Sequence, residues 1–115
     1  MAPDPPAGLS SGLRPLYAEA VSVADASPAS ASALLRMLIQ ALIKGQGLRG
    51  RDLVRDIGTL VERGAPVGLL RALDVIGMTE HESRHPAELS LANGHSDAQN
   101  LFMFVNLFVT QILGT

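Results

Sequence analysis

The chain between Pro28 and Lys44 reads PASASALLRMLIQALIK. Large aliphatic residues dominate this stretch, and its polar residues recur every four positions: Ser32, Arg36, Gln40 and Lys44. A spacing of four places side chains next to one another on a helix, so these residues form one narrow polar ridge. Ser27 can cap the first free amides, and Pro28 suits the first helical turn. The stretch therefore predicts a helix that is buried on most sides.

Four further segments around this helix have helical patterns. Residues 16–24 form a short first helix, and a third helix near residues 52–63 ends at Gly64, a left-handed terminator. Pro66 opens a fourth helix, which Pro86 ends because proline disfavours helical geometry at the residue before it. Residues 96–99 form a capping box before a fifth helix, whose narrow polar ridge contains only Gln99, Asn106 and Thr110, with Met103 between them. We therefore predict an all-α bundle of five helices.

The composition indicates one compact domain. The chain has 115 residues, of which 47% are hydrophobic and 17% charged. Residues 1–12 are rich in Pro, Gly and Ser and predict a flexible arm, and residues 13–115 form a single domain. The absence of cysteine excludes thiolate nucleophiles, iron–sulfur clusters and cysteine zinc sites. Residues 98–115 are uncharged, but amide side chains interrupt them, and no secretory signal pattern is present, so we expect a cytoplasmic protein with no membrane partner.

The second and the fifth helix each have only a narrow polar ridge and are otherwise apolar. An isolated five-helix bundle does not need two such helices at its centre. Burial in a homodimer accounts for the excess apolar surface. We expect an interface of about 1,200 Å² or more, the range of stable pairs.

Charge is divided along the chain. Residues 36–71 contain seven basic and three acidic residues, whereas residues 74–115 contain one and five. Four basic residues are candidates for binding an anion: Lys44, Arg49, Arg51 and Arg55. The alternative is an ordinary solvated face, and a pI near 5.8 does not support general nucleic-acid binding. Residues 45–50 match G-x-G-x-x-G, but a helix precedes them instead of a strand, so we interpret them as a glycine-terminated helix exit.

The order of segments resembles a known bacterial family. These segments are YAEAVSVADASPASASALLRMLIQALIK, RDLVRDIGTLVERG, LLRALDVIG, HPAEL and LFMFVNLFV, between Tyr17 and about Leu113. They resemble domain of unknown function 4145 (DUF4145), which is similar to the HEPN superfamily. The resemblance implies an HEPN-like helical bundle, often dimeric, in which active members cut RNA with an Arg-polar-x-x-x-His motif. It also implies association with defence, toxin–antitoxin or phage-related systems.

The chain departs from this family in its fourth helix. Gly77 stands where the family has arginine, whereas His85, Pro86 and Glu88 match the family pattern. The arginine of such a site would hold the scissile phosphate and stabilise its developing charge, which glycine cannot do.

The same region contains His81-Glu82-Ser83-Arg84-His85, which matches H-E-x-x-H. In zinc enzymes this pattern gives two ligands one helical turn apart and a glutamate base. Here Pro86 ends the helix at the second histidine, so we expect no resident cofactor and at most weak zinc binding through His81 and His85. The alternative to a metal site is a pair of polar side chains at a surface or subunit seam.

Helical rotation places five residues on one stripe of the fourth helix: Arg71, Asp74, Met78, His81 and His85. This stripe is a candidate binding face, and its alternative is a solvated or subunit-facing ridge. The leading hypothesis is a non-catalytic HEPN-like module that dimerises and binds an unidentified protein partner. The alternative is an enzyme, either a diverged ribonuclease or a zinc hydrolase using His81, Glu82 and His85.

The departure at Gly77 generates a prediction. The purified protein should leave labelled single-stranded RNA intact, because no arginine at the family's spacing can hold the phosphate. Gel electrophoresis after incubation measures this directly. Cleavage that disappears in His85→Ala would contradict the prediction.

Overall fold

The computed structural model describes residues 8–75 and 95–113, apart from the side chains at positions 74, 75 and 95–97. Over these residues the chain forms five α-helices and no β-strand. The helices are α1 (Arg14–Val23), α2 (Pro28–Gly45), α3 (Leu53–Glu62), α4 (Gly68–Val75) and α5 (His95–Phe108), and α5 continues as a π-helical segment, Val109–Leu113. The prediction of an all-α fold is confirmed for this part of the chain.

Two of the helices begin at side-chain caps. Ser27 Oγ accepts a hydrogen bond from the backbone N–H of Ser30 at 3.3 Å, and Pro28 occupies the first turn of α2. Asp52 Oδ1 accepts from the backbone N–H of Arg55 at 3.2 Å and caps α3. Each cap satisfies an amide that has no partner within its own helix. The predicted start of α2 is therefore confirmed.

The end of α3 is a glycine turn. Gly64 adopts φ +113°, and its N–H donates to the carbonyl of Val61 at 3.0 Å. The next amide, that of Ala65, donates to the carbonyl of Leu60 at 2.9 Å. This pair of bonds is the Schellman arrangement, which satisfies helix-end carbonyls and needs a left-handed residue. The predicted terminator is confirmed.

Helix α2 lies at the centre of the packing. It packs against both α1 and α5, and α4 packs against α3 and α5. Full burial of a large apolar side chain contributes roughly 1.5–3 kcal/mol relative to leaving it exposed. The largest fully buried side chains come from all five helices: Tyr17, Phe102, Phe104, Phe108, Leu35, Leu38, Ile39, Ile43, Leu53, Ile57, Leu69 and Leu73.

A buried polar contact joins the first helix to the last. The ring of Tyr17 meets Phe102 edge to face, with centroids 5.4 Å apart and planes at 70°. The Asn106 amide donates from Nδ2 to Tyr17 Oη at 3.1 Å and to the Phe102 carbonyl at 2.9 Å. Buried tyrosine hydroxyls require such partners. This contact explains why Asn106, a member of the predicted polar ridge, is only partly exposed.

The segment before α1 contributes to the core. Leu9 is 3% exposed and belongs to the main apolar cluster. Its carbonyl accepts a hydrogen bond from Arg14 Nε at 3.2 Å, and the carbonyl of Ser10 accepts from the amides of Leu13 and Arg14. The packed part of the domain therefore includes Leu9, although the sequence pattern assigns residues 1–12 to a flexible arm.

The exposed ridge of α5 follows the predicted pattern. Gln99, Met103 and Thr110 are exposed along this helix. The uncharged stretch of residues 98–115 begins within α5. None of the helices in the described ranges has the length and apolar character needed to cross a membrane.

The polar ridge of α2 does not face solvent along its whole length. Ser32 is fully buried and Arg36 is 6% exposed, whereas Met37 is 51% exposed. The ridge winds around the helix because side chains four positions apart are not aligned with the helix axis. Each step of four turns about 40° around an α-helix of 3.6 residues per turn. The ridge therefore starts inside the core at Ser32 and reaches solvent only at Lys44.

The burial of Ser32 generates a prediction. Its Oγ has no hydrogen-bond partner within the part of the chain that the structure describes. Ser32→Ala should raise the free energy of unfolding by about 1 kcal/mol, because it removes an unsatisfied buried hydroxyl and improves helix propensity. Urea denaturation measures the change. Ser22→Ala, at an exposed position of α1, is the control and should change stability by less than about 0.5 kcal/mol. A loss of stability in Ser32→Ala would contradict the buried, unpartnered hydroxyl.

Candidate functional site

Basic side chains cluster around the loop that connects α2 to α3. Gln40, Lys44, Arg49 and Arg51 line a groove of about 460 Å³. A second groove of about 700 Å³ also has Arg49 and Arg51 in its wall, and it extends to Arg55 on α3. The structure therefore brings together all four residues that the sequence marks for anion binding. We call the surface lined by Lys44, Arg49, Arg51 and Arg55 the cationic groove.

The helix exit next to the cationic groove is a second Schellman turn. Gly47 adopts φ +84°, and its amide donates to the carbonyl of Lys44 at 3.0 Å. The amide of Leu48 donates to the carbonyl of Ile43 at 3.4 Å, and the Leu48 side chain packs against the core. The interpretation of residues 45–50 as a glycine-terminated helix exit is confirmed. These glycines do not form the dinucleotide-binding fingerprint, which lies between a strand and a helix.

The backbone of Gly50 anchors the loop that contains Arg49 and Arg51, because it is hydrogen-bonded to side chains of two helices. Its carbonyl accepts a hydrogen bond from Gln40 Nε2 at 3.1 Å, and its N–H donates to Asp56 Oδ2 at 2.9 Å. It adopts φ +73°, which favours glycine. Two side chains from different helices thus hold one backbone unit and set the positions of both arginines.

Asp56 is the residue of this site that sequence reasoning missed. The amphipathic pattern of α3 assigns it to the solvated face, but it is 8% exposed and buried against the loop. Its partner is a backbone amide six residues earlier, so the amphipathic pattern of the helix does not reveal it. The available signal is its position in the first turn of α3, directly after a glycine-rich loop.

A second surface with different chemistry runs along the outer side of α2. Six residues form it, with Ser30, Met37 and Lys44 exposed and the others partly exposed. We call this surface the α2 stripe: Ser30, Ala33, Leu34, Met37, Ala41 and Lys44. Its centre is apolar and its two ends are polar.

The binding face predicted on the fourth helix is described only in part. Arg71 is exposed on α4, and Asp74 lies within the same helix. Met78, His81, Glu82 and His85 lie outside the described residues, and so do Gly77, Pro86 and Glu88. The candidate zinc ligands and the candidate ribonuclease histidine therefore stay predictions. Among the side chains that the structure describes, no three His, Asp or Glu residues come close enough to hold a metal ion.

Comparisons with protein-family models, with curated proteins and with solved structures find no match to this chain.

Gly50 generates a prediction about the loop. A Cβ atom there would lie 3.0 Å from Gln40 Cγ and 3.1 Å from the Gln40 carbonyl oxygen, in addition to the strain of a positive φ. Gly50→Ala should lower the free energy of unfolding by about 1–3 kcal/mol. Thermal or urea denaturation measures it.

Gly58 provides the matched control. It lies within α3, and a Cβ atom there meets nothing within 4 Å. Gly58→Ala should therefore stabilise the protein by up to about 1 kcal/mol, because helical alanine loses less backbone entropy on folding. Equal stability changes of the two variants would contradict the loop geometry.

Proposed function

We propose that this domain is a non-catalytic helical interaction module that forms a homodimer through the α2 stripe. The observation that carries the proposal is the rotation of α2, which buries Ser32 and leaves Met37 half exposed. Burying a polar group in preference to an available apolar one is unfavourable for an isolated domain. An exposed apolar strip with polar ends is the usual composition of a protein interface.

The pattern of the α2 stripe favours a second copy of the chain as the partner. Apart from Leu34, the stripe is symmetric about Met37, with Ala33 and Ala41 four positions away and Ser30 and Lys44 seven positions away on either side. When two copies of α2 cross antiparallel at Met37, Ala33 of one copy faces Ala41 of the other. The small alanines leave room for the methionines, and each lysine meets a serine instead of another lysine. Such self-complementarity is what a two-fold interface requires.

Size sets a further requirement on the dimer. Two helices that cross alone bury less surface than the roughly 1,200 Å² of a stable pair. The α2 stripe would therefore form the centre of the interface, and residues around it would complete the rim. Methionine suits the central position because its flexible, polarisable side chain fills irregular gaps.

The family resemblance of the sequence supports the same proposal. HEPN-like domains of the type that the sequence resembles are helical and often dimeric. We propose that the chain is a module of this kind and that it acts in a defence, toxin–antitoxin or phage-related system through an unidentified protein partner.

The dimer is tested by a charge at its centre. Light scattering at micromolar concentration should give twice the 12.1 kDa chain mass for the wild type. Met37→Glu should shift the protein to monomer, with association weakened about 100-fold or more, because two carboxylates would face each other in a desolvated contact. Circular dichroism should show unchanged folding, since Met37 is half exposed in the single chain.

Val67→Glu is the matched control. Val67 is 55% exposed in the connection before α4 and lies outside the α2 stripe, so the same charge there should leave the mass unchanged. A monomeric wild type, or a Met37→Glu variant that stays dimeric, would overturn the proposal.

A further inference from the structure

We propose that the cationic groove binds a compact, multiply charged phosphate group of the di- or triphosphate class. This inference is independent of the proposed dimer. It starts from the charge of the four residues that define the groove: Lys44, Arg49, Arg51 and Arg55. All four are exposed, and over residues 8–75 and 95–113 none of their side chains makes a hydrogen bond or an ion pair.

The described carboxylates of the groove leave part of this charge uncompensated. Among the described lining residues, Asp52 and Asp56 are acidic, so the four cations exceed the acidic side chains by two charges. Both acids are also engaged with backbone amides, Asp52 with that of Arg55 and Asp56 with that of Gly50. Closely spaced like charges repel one another, so an anion that bridges them is stabilised.

The groove is built before any ligand arrives. The Schellman turn at Gly47 fixes the exit from α2, and the two hydrogen bonds of Gly50 to Gln40 and Asp56 fix the position of the backbone between Arg49 and Arg51. Backbone that is ordered in the free protein costs no ordering entropy on binding. The arginine and lysine side chains remain the only parts that the ligand must order.

The chemistry of the lining favours phosphate. Guanidinium groups donate paired hydrogen bonds to phosphate oxygens, and three of the four cations are arginines. Volumes of about 460 and 700 Å³ fall in the range of small-molecule sites, roughly 300–1,000 Å³. Among the described residues of the lining, Leu48 is the single apolar side chain.

The lining also argues against nucleic acid. The four aromatic residues of the chain, Tyr17, Phe102, Phe104 and Phe108, are all buried, so none of them can stack on a base. Proteins that bind single strands use exposed aromatic side chains for this purpose. A net charge of -2 adds a repulsive term for any long polyanion. A short phosphate chain needs neither stacking nor an extended basic surface.

The test is calorimetric titration with inorganic tripolyphosphate at low ionic strength. The wild type should bind with a stoichiometry of one per chain. The double variant Arg49→Gln with Arg51→Gln should lose affinity by about tenfold or more, because both grooves share these two side chains. Arg14→Gln removes the same charge from an exposed position of α1 outside the groove and should bind as the wild type does.

Titrations with ATP and with a single-stranded RNA test whether a nucleotide or a nucleic acid is the preferred ligand instead. ATP should bind no more tightly than tripolyphosphate, since the described groove has no surface for the base. Tighter binding of ATP, or binding of a single-stranded RNA without binding of tripolyphosphate, would overturn the proposal. No binding of tripolyphosphate, or equal loss of affinity in Arg14→Gln, would also overturn it. Met37→Glu should keep the wild-type affinity, so a failure of the dimer is distinguishable from a failure of the phosphate site.

Discussion

The burial of one wide face of α2 is the constraint on which the rest of the structure depends. This helix packs against α1 and α5 together, and Leu35, Leu38 and Ile39 of that face are fully buried. An α-helix is rigid, so fixing one face fixes the direction of every other side chain that it carries. The inward position of Ser32 and Arg36 and the outward position of Met37 follow from this single rotation.

The winding polar ridge of α2 links the core to the surface. Ser32 lies in the core, Gln40 is partly exposed, and Lys44 reaches solvent. Gln40 holds the carbonyl of Gly50, and Lys44 lines the cationic groove. The residues that orient the loop therefore belong to the same helix that organises the core. A change that rotated α2 would move the groove as well.

The two surfaces described above meet at Lys44, which belongs both to the α2 stripe and to the cationic groove. In the proposed dimer the crossing point is Met37, and Lys44 lies at each outer end of the paired stripes. A separation of fourteen residues along the helix corresponds to about 21 Å. The cationic grooves of the two copies would then lie at opposite ends of the interface. Arg49, Arg51 and Arg55 lie outside the α2 stripe, so self-association and anion binding can coexist.

Local chemistry by itself determined where α2 begins and where α3 ends. Ser27 and Pro28 start α2, and Gly64 ends α3, because caps and left-handed turns depend on a few neighbouring residues. The cationic residues were also evident from the sequence, since four of them lie within twelve positions. The rotation of α3 could also be predicted, because this helix has one apolar face. Only the tertiary structure decided the rotation of α2 and the burial of Asp56. Apolar residues surround α2 on almost every side, so several rotations bury similar apolar area, and the packing of α1 and α5 selects one of them.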